Sequence, residues 1–361
     1  MLSGRPAASA TRSRLTLPEA ALRTERTSQQ VTEEVIAYME PALREAVARL
    51  SEPVRHMAEY HFGWVDADGR PSVPVGFRRR PALVTLLCAG SGKQDWDGAR
   101  NAALAGTLMS AAGTVHDDVV DQEMIRKGRA TVWTVFGVPS AVQVGVALHC
   151  LAFELLAEEP PRVAVELSRR AAYAIRECCS GQIRDLRSEG SSRADLKESV
   201  DLLESTIAFP TAGVAMAGAL VRGATDREIA AAESFGYHAG MAMAYFDDWE
   251  GVWGTSRESL EDPFADLRRR KSRSFVAFAL QSGGPARDQL AAYYDDCAES
   301  SLEQLEGIAG LIEECGGRTW LEDRIREHIV LAGRALPEAV PDPLAQAEFA
   351  GFLGMIADEL R

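Results

Sequence analysis

The chain has no CxxC pair, no other cysteine spacing that suits a metal, and no apolar run near the roughly 18–20 residues of a membrane span. Its six cysteines (Cys88, Cys150, Cys178, Cys179, Cys297, Cys315) are therefore expected to be reduced thiols, mostly buried, in a cytoplasmic protein. Positive charge is scarce. Lys and Arg total 39 against 53 Asp and Glu, a net charge of −14. That balance argues against nucleic acid or an anionic membrane surface as the main partner. A phosphate-bearing ligand would need a local cluster of cations or bound metal to overcome the field. Strand signals are nearly missing too: "PSVPVGF" is short and broken by proline.

Helical periodicity is what the chain does have. "VTEEVIAYMEPALREAVARL", "ARNAALAGTLMSAAGTVHDDVVDQEM", "AVQVGVALHCLAFELLAEE", "RVAVELSRRAAYAIRECCSGQIRDLRSE", "DLKESVDLLESTIAFPTAGVAMAGALV" and "DREIAAAESFGYHAGMAMAYFDDWEGVW" are Ala/Leu-rich, with apolar residues at three- and four-residue intervals. With 46% hydrophobic residues and no internal repeat, residues 31–361 are expected to form one all-α domain, a bundle of long helices around a central cavity. Residues 1–30 are rich in Ser, Thr, Ala and Arg and read as a disordered tail. Their composition suits either an organellar transit peptide or a segment that docks a protein partner.

The chemistry concentrates in "GTVHDDVVDQEMIRKGRATVW". On a helix, Asp117 and Asp121 project from one side and Asp118 lies about 100° round. Several carboxylates on an apolar face must be protonated, paired or metal-bound. Mg²⁺ fits, since it binds through one or two carboxylates plus phosphate oxygens and water. Arg126 and Lys127 follow on the next turns, with Gly128 expected as a helix C-cap. A second apolar helix is interrupted by Asp247 and Asp248, and "EDPFADLRRRKSRS" then supplies Asp266, Arg268, Arg269, Arg270 and Lys271. Two acidic helix faces, each followed by a basic segment, suit a diphosphate clamped by metal ions while it leaves an allylic carbon. "YYDDCAES" holds Asp295, Asp296 and Glu299 but no following cations, and reads as a solvated helix face. Tyr245, Phe246, Trp249 and Trp253 are either core or stabilisers of a carbocation. His116 either orients a carboxylate or packs.

These segments resemble the trans-isoprenyl diphosphate synthases of the polyprenyl synthetase family. "VHDDVVDQEMIRKGRATVWTVFG" is similar to the family's first aspartate-rich motif and its sequel, and "FGYHAGMAMAYFDDWEGVWG" to the second, with Gly251 in place of its last Asp. "DPFADLRRRKS", "GFRRRPALVTLL" and "CSGQIRDL" resemble the phosphate-binding, early and middle motifs, in the expected order from about Gly76 to Ala279. The resemblance implies an antiparallel helical bundle, a homodimer, and three Mg²⁺ ions bound with the diphosphate. It implies metal ligation by Asp117, Asp118, Asp121, Asp247 and Asp248. It also implies diphosphate contacts from Arg126, Lys127, Lys271, Arg80 and Gln182, with Asp185 beside Gln182. The residues four and five before the first aspartate, Gly113 and Ala112, would cap the hydrocarbon pocket. Being small, they leave room for a chain of C20 or more.

The departures fall on the acceptor side. Where the family carries the Lys and His that hold isopentenyl diphosphate, this chain has Phe77 and Ser110, leaving Arg80 with Arg78 and Arg79. The middle Lys is Ser205, and the Gln of the second motif is Ala244. The first expectation is a prenyltransferase that condenses an allylic prenyl diphosphate with isopentenyl diphosphate. The second is a terpene synthase using the allylic diphosphate alone, although Gly251 and Thr255 do not fit the usual cyclase pattern. The third is a non-catalytic partner subunit of another prenyl synthase.

Overall fold

All six periodic stretches become long helices in the computed structural model, which describes residues 26–72, 80–188, 192–254, 264–296 and 298–360. In chain order the helices are α1 (Ser28–Val47), α2 (Val54–His61), α3 (Arg80–Ala89) and α4 (Lys93–Val120). A hairpin of β1 (Ile125–Arg126) and β2 (Arg129–Ala130) precedes α5 (Val132–Phe136), α6 (Val138–Ala157) and α7 (Pro161–Ser188). There follow α8 (Leu196–Leu203), α9 (Phe209–Val221), α10 (Asp226–Trp253), α11 (Ala265–Arg268) and α12 (Ser274–Leu280). The chain closes with α13 (Pro285–Asp295), α14 (Leu302–Glu314), α15 (Gly317–Ala339) and α16 (Pro343–Glu359).

Short-range chemistry starts the helices. Thr27 and Gln30 form a capping box at α1, Thr225 and Glu228 another at α10, and Ser301 and Gln304 a third at α14. Packing then places them. The long helix α10 lies against α9 and α15, and α4 lies between α3 and α6. Small residues let α9 and α10 approach closely. A Cβ on Gly236 would stand 2.7 Å from Ala215 Cβ, and one on Gly240 would stand 2.9 Å from Thr211 Cβ. Between α8 and α9 the helix widens to a π turn, Glu204–Ala208, in which the Phe209 N–H reaches back to the Glu204 carbonyl. Pro210 follows at once; it has no N–H to donate and its ring would crowd a carbonyl four residues back, so the wider turn lets the helix continue.

Several expectations change. Helix α4 ends at Val120, and Gln122 takes a φ of 53°. Arg126 and Lys127 therefore lie on a β-hairpin rather than on further helical turns. Gly128 is not a C-cap: Lys127 (φ 53°) and Gly128 (φ 71°) are its two turn residues. Both need positive φ, which glycine accepts at no cost and which suits the twist of a tight hairpin. Residues before 31 belong to the folded unit: Arg26 bonds Glu34 at 2.6 Å and the buried Glu348 of α16 at 2.8 Å, while residues 1–25 lie outside the described ones. Among the described cysteines only Cys88 is buried, while Cys150 and Cys179 are exposed. Helix α6 is 20 residues long with a mean hydropathy of 1.6, and Leu196–Val221 spans 26 residues at 1.2. Both are long and apolar enough to cross a membrane, contrary to the sequence reading. Their core faces pack inside the bundle. Asp295 accepts from both the backbone N–H (3.0 Å) and hydroxyl (2.8 Å) of Ser192, so it anchors a loop rather than facing solvent alone.

His116 decides how α4 meets α6. Its imidazole bonds the Val142 carbonyl at 3.2 Å, and it fits a notch left by Gly145, where a Cβ would come 2.1 Å from Nε2. Packing, not carboxylate orientation, is its role. Gly145→Ala is expected to cost about 1–3 kcal/mol through overpacking. Adding His116→Ala should return part of that loss. Thermal denaturation of the two single variants and the double variant checks this, and additive losses would contradict it.

Candidate active site

Four helices and two connecting segments deliver the charged groups. Asp117 lies in the last turn of α4 and accepts from Gln182 Nε2 of α7 at 2.6 Å. Asp121, the C-cap of α4, accepts from Lys271 Nζ at 2.9 Å, across 150 positions of sequence. Lys271 is 3% exposed and also lies 3.7 Å from Asp185 Oδ2 of α7. The first motif, the middle helix and the basic segment therefore meet at one ammonium group.

The second motif ends α10. Asp247 is half-exposed and accepts from Arg80 Nη1 of α3 at 3.2 Å. Asp248 is buried, and its Oδ1 lies 3.7 Å from Arg273 Nε. Arg273 makes a two-pronged pair with Asp266, Nε to Oδ2 at 2.8 Å and Nη2 to Oδ1 at 3.1 Å. Sequence reasoning assigns Arg273 no role; it stands two residues past Lys271, and no spacing rule marks it. Arg269, also unassigned, donates to Glu123 at 2.6 Å, just beyond the first motif.

Asp118 stands apart. It is 3% exposed and faces Arg126, whose Nε donates to Oδ1 at 2.6 Å. A shallow cleft on that side is lined by Asp118, Arg126, Lys127, Arg129, Tyr60 and His61, among others. Arg126 and Lys127 thus share a cleft with Asp118, and Arg126 also acts on the charge of Asp117. Two of the arginines in the basic run point elsewhere: Arg268 donates to the Ser300 carbonyl, and Arg270 to those of Tyr293 and Ala298.

The remaining candidates divide cleanly. A Cβ on Gly113 would meet nothing within 4 Å, so this position faces open space, whereas Ala112 is wholly buried. Ser110 is exposed on the same side of α4. Ser205 is 3% exposed; its hydroxyl donates to the Leu202 carbonyl, and it fills the space beside Gly181, so it offers a diphosphate nothing. Ala244 is buried. Tyr245 packs on Trp320 and His328 of α15, Phe246 stacks on Trp249, and the Trp249 indole donates to Glu322 of the same helix as Trp320. Tyr245 and Trp249 belong to the α10–α15 core. Phe77, Arg78, Arg79 and Thr255 lie outside the described residues.

Charge crowding shapes the carboxyls. Burial, and then the neighbouring Asp121, push Asp117 up to about 6 despite the bond from Gln182. Burial raises Asp118 to about 6 against the pull of Arg126, and Asp248 to about 7 against that of Arg273. Burial also opposes ionisation of Asp266, but Arg273, Lys271 and Arg269 outweigh it and hold its carboxyl below the usual range.

Divalent metal fits this donor set on one observation. Asp248 Oδ2 is buried and has no hydrogen-bond partner, an acceptor that a cation would satisfy. Among the described residues no three carboxylate, imidazole or thiol side chains converge on one point. A hard cation that completes its shell with water and phosphate oxygens does not require such a cage.

Metal binding needs the carboxylates charged, so protons on groups raised to about 6–7 must leave first. The sign follows from the raised values. In the folded protein, charging these groups costs stability as pH climbs from about 4, the ordinary carboxylate value, towards 7. A bound divalent cation offsets that cost. Affinity for Mn²⁺, followed by the spin resonance of the free ion, is expected to rise steeply between pH 5 and 7 and to flatten above about 7.5. A flat profile across that range would contradict the assignment.

Comparison with known proteins agrees with this geometry. Residues 70–309 match the sequence profile of the family described as polyprenyl synthetase. The chain is 34% identical over 305 residues to a geranylgeranyl diphosphate synthase of Mycobacterium tuberculosis, covering 84% of this chain and 87% of that protein. It is 34% identical over 294 residues to a (2E,6E)-farnesyl diphosphate synthase of Mycobacterium bovis, covering 80% and 81%. The crystal structure of a polyprenyl synthetase from Streptomyces coelicolor superposes with a TM-score of 0.84 at 32% identity, over 91% of this chain and 99% of that one. With its all-α bundle and its two aspartate motifs, the chain belongs to the polyprenyl synthetase family.

Proposed function

We propose that the chain is a prenyltransferase that ionises an allylic prenyl diphosphate and joins it to isopentenyl diphosphate, giving a prenyl diphosphate of C20 or more. The observation that carries this is the meeting of Asp121, Asp185 and Lys271 at one point, which brings the first aspartate motif, the middle helix and the basic segment together. The names of the two mycobacterial relatives support the reaction class.

Three Mg²⁺ ions bound with the diphosphate are proposed, held through Asp117 and Asp121 on α4 and through Asp247 and the open oxygen of Asp248 on α10. Bound there, they would draw electron density from the departing diphosphate. The chain's own groups supply the rest. Lys271 places a fixed ammonium beside Asp121, ready to turn towards a phosphate oxygen, and Gln182 orients Asp117. Arg126 is oriented by Asp118, so we assign Asp118 to holding that arginine rather than to metal. The open space at Gly113 takes the hydrocarbon, whose apolar walls keep water from an allylic cation.

On the acceptor side, Arg80 and Lys127 are proposed to hold isopentenyl diphosphate. Ser110 and Phe77 supply no charge there, and each charge-assisted hydrogen bond they forgo would weaken that binding by about 1.5–3 kcal/mol. The thinned acceptor side also favours a second reading, a terpene synthase working on the allylic diphosphate alone. A homodimer is supported by two apolar surfaces that the single chain leaves exposed: Val138, Val142 and Val146 along α6, and Val165, Ile183 and Leu186 along α7. Sedimentation at the mass of one chain would remove that proposal.

Product analysis separates the activities. Purified protein with Mg²⁺ and farnesyl or geranylgeranyl diphosphate is expected to yield longer prenyl diphosphates only when isopentenyl diphosphate is present. Hydrocarbons or terpene alcohols from the allylic substrate alone would replace this function with the second reading. No product in any tube would favour a non-catalytic partner subunit. In the same assay, Gly113→Phe should shift products to shorter chains, and an unchanged distribution would place the pocket elsewhere.

A further inference from the structure

We propose that Arg273 is the positioning residue of the second aspartate pair, a fixed cation that turns Asp248 so that its Oδ2 is left as the acceptor for metal. The inference rests on the metal-dependent reading above. Three observations meet here. The guanidinium is clamped by two hydrogen bonds to Asp266, at 2.8 and 3.1 Å, a planar fork that fixes it as a lysine could not. The same Nε lies 3.7 Å from Asp248 Oδ1, the one cation within 4 Å of that carboxylate among the described residues. And Asp248 Oδ2 is buried with no donor, on a carboxyl whose other oxygen faces the guanidinium.

The arrangement makes a relay from Asp266 through Arg273 to Asp248, connecting the start of α12 to the end of α10. Asp266 is the counter-charge that holds the arginine. Arg273 in turn balances Asp248, which would otherwise be buried beside Asp247 with no compensating group from the protein. Asp247 is held differently, by the half-exposed Arg80. The two aspartates are therefore unequal: Asp248 is set in place from behind, while Asp247 stays half-exposed.

Binding of Mn²⁺ in the presence of inorganic diphosphate, followed by electron spin resonance, tests this on the full chain. Arg273→Lys keeps the charge and loses the fork; it should bind Mn²⁺ about tenfold more weakly, the usual effect of removing a group that orients a metal ligand. The double variant Arg273→Met/Asp266→Leu replaces the ion pair with apolar side chains, a change that buried pairs often tolerate. It should still fold, at a lower melting temperature because Asp248 loses its balancing cation, and show the same weakening of Mn²⁺ binding. The direction is diagnostic. A cation that did no more than repel metal would give tighter Mn²⁺ binding when removed, so tighter or unchanged binding in the double variant overturns the proposal. Turnover separates the two inferences. Weaker Mn²⁺ binding in the variants of a chain that makes no prenyl product would sink the prenyltransferase reading and leave the role of Arg273 standing. Normal turnover with unaltered Mn²⁺ binding in both variants would do the reverse.

Discussion

The site is organised by the cost of holding many carboxylates in one interior. Asp117, Asp118, Asp121, Asp185, Asp247, Asp248 and Asp266 come from separate segments of the chain, and three of them are less than a tenth exposed. Like charges at this range raise each other's pKa unless opposite charge or donors intervene. Each is given a compensating group: Gln182, Arg126, Lys271, Arg80 or Arg273. Removing one partner of such a pair leaves an uncompensated charge and costs far more than the pair itself contributes. The bundle must therefore place α3, α4, α7, α10 and the Phe264–Ser274 segment together, or none of these groups is tolerable.

Compensation and function then share the same residues. The cations that neutralise the aspartates are those a diphosphate would use. An incoming metal–diphosphate complex brings both signs of charge with it: metal for the carboxylates, phosphate oxygens for the lysine and arginines. Under the proposed function, binding would be an exchange of partners in which no charge is left bare at the end. Such an exchange would let a protein of net charge −14 receive a highly anionic substrate.

Much of this is legible in the residues. Three-and-four periodicity locates the six long helices, because each buries one apolar stripe and periodicity reports that directly. The paired aspartates stand out because an acid in an apolar run needs a reason. Partners are not legible: Lys271 to Asp121, Arg80 to Asp247 and Arg273 to Asp266 depend on how helices cross, which no local pattern records. The hairpin at Lys127–Gly128 reads as a helix end, since a glycine after a helical pattern fits both outcomes until backbone pairing decides. Ala112 and Gly113 look equivalent as small neighbours, yet one residue of helical rotation, about 100°, puts one in the core and leaves the other facing open space.

The π turn between α8 and α9 has a consequence for the phase of everything after it. Holding an additional residue in a single turn rotates the following segment relative to an unbroken α-helix by about one residue step, roughly 100°. A helical wheel drawn straight through Leu196–Val221 would therefore put the α9 side chains on the wrong bearings. The small face that α10 meets, Thr211, Ala212 and Ala215, is brought round by that offset, while Ser205, within the turn itself, points at Gly181 of α7. One irregular turn lets a single rod serve two neighbours whose contact faces a uniform helix would have left out of step.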